Sequence, residues 1–238
     1  MTTQSALADA FAGSLEGFFS GGLPDGLVVA CSGGGDSLAL LDLTCRWAAR
    51  SGTSVHAVIV DHGLREGSDT EATAASEIAS SLGALPTVLQ WRDWQGQGNL
   101  QEAARMARRR LLADYAREQE IGTVLLGHTL DDQAETFLLR LARGSGVEGL
   151  SGMSGEIDVD GVRFLRPLLS VRREPLREYL RGRGIVWAED PSNEDERFDR
   201  VRMRQLLPLL LSKSVYINTK TIKGGRNASL RIRIDSVH

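Results

Sequence analysis

Residues 28–37 read VVACSGGGDS, an apolar run that leads into three consecutive glycines and then into a helical pattern. Three glycines let backbone N–H groups turn towards one point, because no Cβ atom blocks the turn. A helix that begins directly afterwards adds partial positive charge at its N-terminus. The stretch therefore predicts a loop that holds a phosphate or pyrophosphate group. The predicted binding residues are Ser32, Gly33, Gly34, Gly35, Asp36 and Ser37.

Side chains of this loop add to the prediction. Ser32 and Ser37 can donate hydroxyl hydrogen bonds, and Asp36 is placed to hold a magnesium ion that neutralises phosphates. The loop is not a Walker A motif, because no Gly-Lys-Ser/Thr follows the glycines. It is not the dinucleotide fingerprint either, since Leu38 stands where the third glycine should be. The alternative is a turn that only joins a strand to a helix.

The composition is that of a soluble globular protein with one main domain. The chain has 238 residues, of which 42% are hydrophobic and 25% charged, and no apolar run approaches the roughly 20 residues of a membrane span. Two cysteines without a CxxC pair argue against a disulfide framework, a structural zinc and a cysteine-ligated iron–sulfur cluster. The N-terminus lacks a secretory pattern, so a cytoplasmic location is expected.

Apolar runs alternate with helical patterns through most of the chain, which predicts an α/β fold. The expected architecture is a Rossmann-like, doubly wound parallel sheet with helices on both faces, followed by a short helical extension. The predicted strands are 27–31, 55–60, 85–90 and 123–127, with a looser pattern at 162–169. The predicted helices are 37–50, 69–82, 100–120, 131–143, 174–181 and 199–211. Asn99 is the expected N-cap of the third helix, and Gly144 is the expected end of the fourth.

A change in residue usage divides the chain. Residues 1–211 contain 22 Arg and no Lys and carry a net charge of −8, whereas residues 212–238 carry +5 and contain all three Lys. The predicted parts are an N-terminal lead-in helix at 1–24, the main domain with the glycine loop at 25–211, and an atypical basic tail at 212–238. The tail fits a basic nucleic-acid arm or a disordered, foreign or frameshifted end.

A second motif, LGHTLDDQAET at residues 126–136, again lies where a strand ends and a helix begins. In open parallel sheets, ligands bind beyond the carboxyl ends of the strands, so this segment and the glycine loop should border one crevice. Asp131, Asp132 and Glu135 can share a helix face beside His128. They would bind magnesium or a cationic substrate. The alternative is that the aspartates only complement the helix dipole.

Two further signals are weaker. Asp61 follows the second strand and would meet adenine or ribose, with Arg65 on phosphate, unless the segment is an ordinary polar turn. In the third helix, Arg105 and Arg109 recur with Glu102 in a polar stripe. The usual interpretation is a solvated face with ion pairs, and the alternative is a role against ATP or an RNA backbone.

Several of these segments together resemble the tRNA(Ile)-lysidine synthetase family, over about residues 25–211. The glycine loop by itself resembles the wider group of pyrophosphate-loop (PP-loop) ATPases. The resembling segments are SGGGDS at 32–37, DHGLR at 61–65, NLQEAAR at 99–105, GHTLDDQAET at 127–136 and EDPSN at 189–193. Residues 212–238 match no pattern of that family.

The resemblance implies a ligase that uses ATP and Mg²⁺. It would adenylate the wobble cytidine of an isoleucine tRNA and then join free L-lysine to it. The implied catalytic residues are Asp36, His128, Asp132 and Glu135. Asp36 would hold the metal, Asp61 and Arg109 would join the loop in binding ATP, and the implied substrate-binding residues are Arg105, Asp132, Glu135, Asn193, Arg202 and Arg204.

The resemblance leaves three possibilities open. The chain would be a ligase, a truncated protein that binds nucleotide without ligating, or another PP-loop enzyme that modifies tRNA. Thiolation of a tRNA base is disfavoured because no CxxC pair is present. No membrane partner is expected, and the oligomeric state is open, with a homodimer as one option.

Overall fold

The structure is a computed structural model that describes residues 3–63, 67–92, 94, 98–144, 152–188, 203, 215–220 and 229–234. Its helices are α1 Thr3–Glu16, α2 Gly35–Ser51, α3 Ser68–Ser81, α4 Leu100–Glu118, α5 Leu130–Ala142 and α6 Arg173–Arg183. Its strands are β1 Gly26–Cys31, β2 Ser54–Asp61, β3 Leu85–Gln90, β4 Thr123–Leu125, β5 Glu156–Val159, β6 Val162–Leu165, β7 Val215–Lys220 and β8 Ser229–Ile234.

Six strands form one sheet in the order β3-β2-β1-β4-β6-β5. All neighbours are parallel except β5, which pairs antiparallel with β6. The predicted α/β fold with a mostly parallel sheet is confirmed. Strands β7 and β8 form a separate two-stranded antiparallel sheet within the predicted tail, whose origin stays a prediction.

Alternation along β1 shows how the sheet is covered on both faces. Leu27 and Val29 belong to a core formed with α1, α2, α3 and α6, whereas Val28 and Ala30 belong to a second core formed with α4. All four residues are at most 1% exposed. Successive residues of a strand point to opposite faces, so a strand this apolar on both sides needs helices on both sides.

Two local predictions of helix ends are confirmed. The Asn99 side chain accepts hydrogen bonds from the backbone N–H groups of Gln101 and Glu102, at 3.0 and 3.2 Å, and so caps α4. Helix α5 ends at Ala142, and Gly144 follows with a φ of +69°. Glycine adopts this left-handed conformation without the steric cost that a side chain brings.

Within the looser pattern at 162–169, Val162–Leu165 is a strand, and it is half of a hairpin with β5. The two residues that connect the strands, Asp160 and Gly161, have φ values of +53° and +82°. Two positive φ values in a two-residue connection are the geometry that Asp-Gly favours. The predicted helix at 199–211 lies outside the described residues apart from the helical Met203. Among the described helices, none combines the length and apolar character that crossing a bilayer requires.

Candidate active site

The candidate site lies where the chain changes direction across the sheet. From β1 the chain builds β2 and β3 on one side, and then returns to place β4 on the other side of β1. Strands β1 and β4 are parallel neighbours, so their carboxyl ends lie at the same edge. The glycine loop follows β1, and the His128 segment follows β4. A crevice between such loops is the usual ligand site of a doubly wound fold.

The glycine loop is held in shape by Ser37. The Ser32 N–H donates to Ser37 Oγ at 3.1 Å, and Ser37 Oγ donates to the Gly34 carbonyl at 2.9 Å. Gly33 adopts a φ of +78°, which favours glycine. Gly34 is the N-cap of α2 and provides no side-chain cap. The first turn of α2 therefore keeps backbone donors for an anion, which fits the predicted phosphate loop.

Gly127 lets the two loops approach each other. A Cβ atom at Gly127 would lie 3.2 Å from both the Asp36 carbonyl oxygen and the Ser37 Cα. Both neighbours are backbone atoms at the start of α2, which cannot rotate aside. A side chain at Gly127 would therefore crowd the start of α2.

Replacing Gly127 by Ala should displace the start of α2. We expect a loss of about 1–2 kcal/mol in the free energy of unfolding, the usual scale of overpacking, together with weaker binding of the ATP that the sequence resemblance implies. Urea unfolding and calorimetric titration with ATP measure the two effects. Gly122→Ala is the matched control, because a Cβ atom there meets nothing within 4 Å. Equal results for the two variants would contradict the steric role of Gly127.

At the start of α5, one carboxylate oxygen of Asp132 caps the helix and the other is left for a different partner. Asp132 Oδ2 accepts hydrogen bonds from the backbone N–H and the hydroxyl of Thr129, at 2.7 and 2.8 Å. Thr129 Oγ1 in turn accepts from the Asp132 N–H, which completes a capping box. The alternative interpretation, a role of Asp132 at the helix end, is thus present, and it uses only one of the two carboxylate oxygens.

The other oxygen of Asp132 meets Arg173, a residue that the sequence motifs missed. The Arg173 guanidinium bonds Asp36 Oδ2 through Nε at 2.8 Å, Asp132 Oδ1 through Nη2 at 3.0 Å and Glu135 Oε1 through Nη1 at 3.4 Å. Its backbone N–H donates to Asp131 Oδ2 at 2.7 Å. The structure therefore brings the predicted residues Asp36, Asp132 and Glu135 together around one cation.

Burial and Arg173 have opposite effects on the pKa of Asp36. Burial raises the pKa of Asp36, while the nearby Arg173 lowers it and leaves a net increase. Burial also lowers the pKa of Arg173, but the carboxylates of Asp132 and Asp36 raise it well above its ordinary value. Arg173 is thus a permanent cation at the site.

His128 is held as a neutral side chain. Arg166 Nε donates to His128 Nδ1 at 3.2 Å, and Arg166 is only 4% exposed. Burial and the charge of Arg166 lower the pKa of His128 to about 4, against a smaller opposite effect of Asp132. Since an arginine only donates hydrogen bonds, Nδ1 must be an acceptor, and the ring proton of neutral His128 must lie on Nε2.

Comparison with protein families matches residues 9–210 to the PP-loop domain. The chain belongs to this family. The match covers the glycine loop, the His128 segment and Arg173, and PP-loop domains use ATP. The sequence resemblance to PP-loop proteins is confirmed.

Two relatives of this chain are tRNA(Ile)-lysidine synthases. It is 50% identical over 189 residues to the tRNA(Ile)-lysidine synthase of Ruegeria pomeroyi, covering 79% of this chain and 45% of that protein. It is 45% identical over 206 residues to the tRNA(Ile)-lysidine synthase of Hyphomonas neptunium, covering 82% and 55%. The chain spans about half the length of the curated relatives it matches.

Solved structures share the fold at low sequence identity. The U34-tRNA thiolase NcsA of Methanococcus maripaludis superposes with a TM-score of 0.74 at 16% identity, covering 89% of this chain and 74% of that one. NMN synthetase of Francisella tularensis superposes with a TM-score of 0.56 at 14% identity, covering 87% and 84%. These likenesses confirm the PP-loop fold.

Helix α4 brings arginines to the PP-loop edge, in a pattern that differs in part from the predicted stripe. Arg105 and Arg109 both lower the pKa of Arg166, to about 10, after the larger effect of burial. Arg108, which the sequence motifs did not single out, lowers the pKa of both His62 and His128, after burial in each case. Its own pKa is lowered by burial. The spacing of three from Arg105 would have indicated it.

Asp61 lies at the same sheet edge as the PP-loop, one strand away. Its Oδ1 accepts a hydrogen bond from the Gly63 N–H at 2.9 Å, which is the local turn that the sequence left as an alternative. His62 beside it meets the Trp91 ring edge to face at 5.6 Å. A role for Asp61 at adenine or ribose stays a prediction. The predicted residues Arg65, Asn193, Arg202 and Arg204 lie outside the described residues.

Proposed function

We propose that this chain ligates L-lysine to the wobble cytidine of an isoleucine tRNA with a CAU anticodon. ATP would first adenylate the pyrimidine carbonyl oxygen with release of pyrophosphate, and lysine would then displace AMP from the ring carbon. Relatives at 40–50% identity that are named tRNA(Ile)-lysidine synthase support this choice. The reaction, its tRNA and its cytoplasmic location are all parts of the proposal.

One structural observation carries the proposal. A preformed anion loop, a neutral histidine and three carboxylates converge at the edge between β1 and β4. An adenylation site needs a holder for phosphates, a donor for the charge that develops on the α-phosphate, and an anionic subsite for the incoming amine. The PP-loop, His128 and the Asp132–Glu135 pair provide these three in turn.

The charges of the site residues give each of them a separate proposed role. Ser32–Ser37 would hold the phosphates through backbone N–H groups, and Asp36 would hold magnesium. Magnesium commonly takes only one or two carboxylates, so Asp36 suffices although the described residues contain no cluster of three metal-binding side chains. Bound magnesium would neutralise phosphate charge. His128 keeps its proton on Nε2 and can donate it as a hydrogen bond without becoming charged. Asp132 and Glu135 would receive the ammonium of lysine.

Adenylation would turn the cytidine oxygen into a leaving group that an amine can displace. The carbonyl oxygen of cytidine leaves poorly, whereas the same oxygen bonded to AMP leaves as a phosphate ester anion. When the lysine amine attacks the ring carbon, the carbon–oxygen bond breaks, AMP takes the electron pair and the amine loses a proton. A carboxylate near the amine favours this loss of a proton in the transition state.

Replacing Arg166 by Gln should change the protonation of His128. With the guanidinium removed, we expect the pKa of His128 to rise from about 4 towards 6.5 and both ring tautomers to be populated. Because the folded state resists protonation of His128, the wild-type fold should lose stability as the pH falls from about 6.5 to about 4. The variant should lose less over that range.

Nitrogen-15 NMR of the histidine rings measures both the tautomer and the pKa. Arg163→Gln is the matched control, because Arg163 lies three residues before Arg166, in β6, but pairs with the exposed Glu156. His128 should be unchanged in that variant. A wild-type His128 that carries its proton on Nδ1 would contradict the assigned role of Arg166.

The test of the proposed function is incorporation of labelled lysine into an isoleucine tRNA transcript with ATP and magnesium. Incorporation, with pyrophosphate release that depends on the tRNA, is the expected result. Nucleotide binding with neither signal would favour the alternative of a nucleotide-binding protein without ligase activity. Pyrophosphate release without lysine incorporation would favour another PP-loop enzyme that modifies tRNA. Contacts of Asn193, Arg202 and Arg204 with the RNA, and a homodimer, stay predictions.

A further inference from the structure

The guanidinium of Arg173 lies where the proposed reaction requires other cations. Its three nitrogens each bond a different carboxylate, from Asp36, Asp132 and Glu135. The Arg173 side chain is 15% exposed and the Glu135 side chain 2%. While Arg173 is bound, the Glu135 carboxylate is therefore closed to solvent and to any ligand that arrives from it.

The three carboxylates need a nearby cation before substrates bind. Three carboxylates at a partly buried site repel one another, and a buried charge without a partner is strongly destabilising. A magnesium ion at Asp36 and an ammonium group at Asp132 and Glu135 would supply positive charge in the loaded enzyme. They would need the same carboxylate oxygens that Arg173 now uses, and like charges at these distances repel. The guanidinium and the ligand cations thus exclude one another.

The attachment of Arg173 allows such an exchange. Its backbone is fixed at the first residue of α6, where its N–H donates to Asp131 Oδ2 at 2.7 Å. Only the flexible side chain contacts the other three acids. The guanidinium can therefore leave the carboxylates by side-chain rotation while the helix stays in place.

We propose that Arg173 is an internal counter-ion that occupies the ammonium subsite of the amino-acid substrate and leaves it when that substrate binds. This proposal rests on the proposed function, because it takes the substrate to be an amine. It makes Arg173 a competitor of the substrate for Asp132 and Glu135. It also compensates part of the negative charge of the three acids when no substrate cation is present.

Calorimetric titration of the full chain with L-lysine tests the proposal. Arg173→Gln removes the competitor, so we expect it to bind L-lysine about tenfold more tightly than the wild type, the scale of one charge-assisted hydrogen bond. Arg172→Gln is the matched control, since Arg172 is the exposed neighbour of Arg173, and it should bind like the wild type. Hexanoate, which has the carbon chain and carboxylate of lysine but no amine, should bind all three proteins equally weakly.

The same titrations distinguish a competitor of lysine from a positioning residue and from a competitor of metal. Weaker lysine binding by Arg173→Gln would overturn the proposal and make Arg173 a residue that positions the acids. Tighter binding of Mg²⁺ alone, with lysine unchanged, would overturn the ammonium assignment in favour of a metal. If Arg173→Gln unfolds, Arg173→Lys keeps the charge with fewer hydrogen bonds and should still bind lysine more tightly than the wild type.

Thermal unfolding gives a second readout that needs no activity. L-lysine should raise the unfolding midpoint of Arg173→Gln more than that of the wild type, because it restores the missing cation. Absence of lysine binding by every variant would overturn the counter-ion proposal. The tRNA-dependent release of pyrophosphate would still test the proposed function separately.

Discussion

Asp36→Asn is expected to lower tRNA-dependent pyrophosphate release by at least about 100-fold, the usual cost of removing one electrostatic group from a transition state. Asparagine keeps the shape of the side chain but not the charge that pairs with Arg173 and that the proposed magnesium ion would need. The chain should stay folded, because Asp132 and Glu135 still pair with Arg173. The effect should therefore be on chemistry and not on stability.

Two measurements separate chemistry from folding in this variant. Pyrophosphate release gives the rate, and urea unfolding gives the stability. Asp114→Asn is the control, because Asp114 lies on an exposed part of α4 with Arg117 as its ion-pair partner. Unchanged release in Asp36→Asn would remove the PP-loop aspartate from the mechanism. A loss of both rate and structure would mark it as a structural residue.

The largest effect on stability is expected from Asp42→Ala. Asp42 is buried in α2 at 1% exposure, accepts a hydrogen bond from the Tyr179 hydroxyl, and accepts two from Arg183 at 3.0 and 3.2 Å. Arg46 completes the group by donating to the Tyr179 hydroxyl at 3.1 Å. Removing the carboxylate should lower the free energy of unfolding by about 2–3 kcal/mol, the scale for losing hydrogen bonds to a charged group.

The same network connects the core to the site. Tyr179 and Arg183 lie on α6, whose first residue is Arg173, so a loosened α6 should also disturb the carboxylate group. Urea unfolding measures the stability, with Asp114→Ala as an exposed control that should stay within about 0.5 kcal/mol of the wild type. Asp42→Asn keeps one acceptor oxygen and should fall between the two. A loss below about 1 kcal/mol in Asp42→Ala would show that the network contributes little.

Local patterns predicted much of the fold because the responsible interactions are themselves local. The apolar run of β1 required cover on both faces, and Asn99 could cap α4 without help from distant residues. The hydrophobic pattern did not predict the hairpin of β5 and β6, because both strands are short and β5 is half-exposed. The dipeptide Asp160-Gly161 was the local signal that could have indicated it.

The predicted placement of residues at one edge is confirmed where strand order alone brings them together. The PP-loop and His128 each follow a parallel strand, so the alternation of strands and helices was enough to place them at one edge. Arg173 and Arg166 were not predicted as site residues, because their partners are distant in sequence. Asp36 precedes Arg173 by 137 residues, and His128 precedes Arg166 by 38. No spacing rule connects such pairs.

The amino-acid sequence by itself determined the α/β class, the glycine loop at Ser32–Ser37 and the edge at which His128, Asp132 and Glu135 lie. Periodicity, glycine geometry and helix capping act within a few residues, which is why these features follow from the order of residues alone. Only the tertiary structure decided which cation neutralises the acids and which nitrogen of His128 holds the proton. Those properties depend on burial and on charges brought together by folding, because electrostatic energy depends on distance in space and on the exclusion of water.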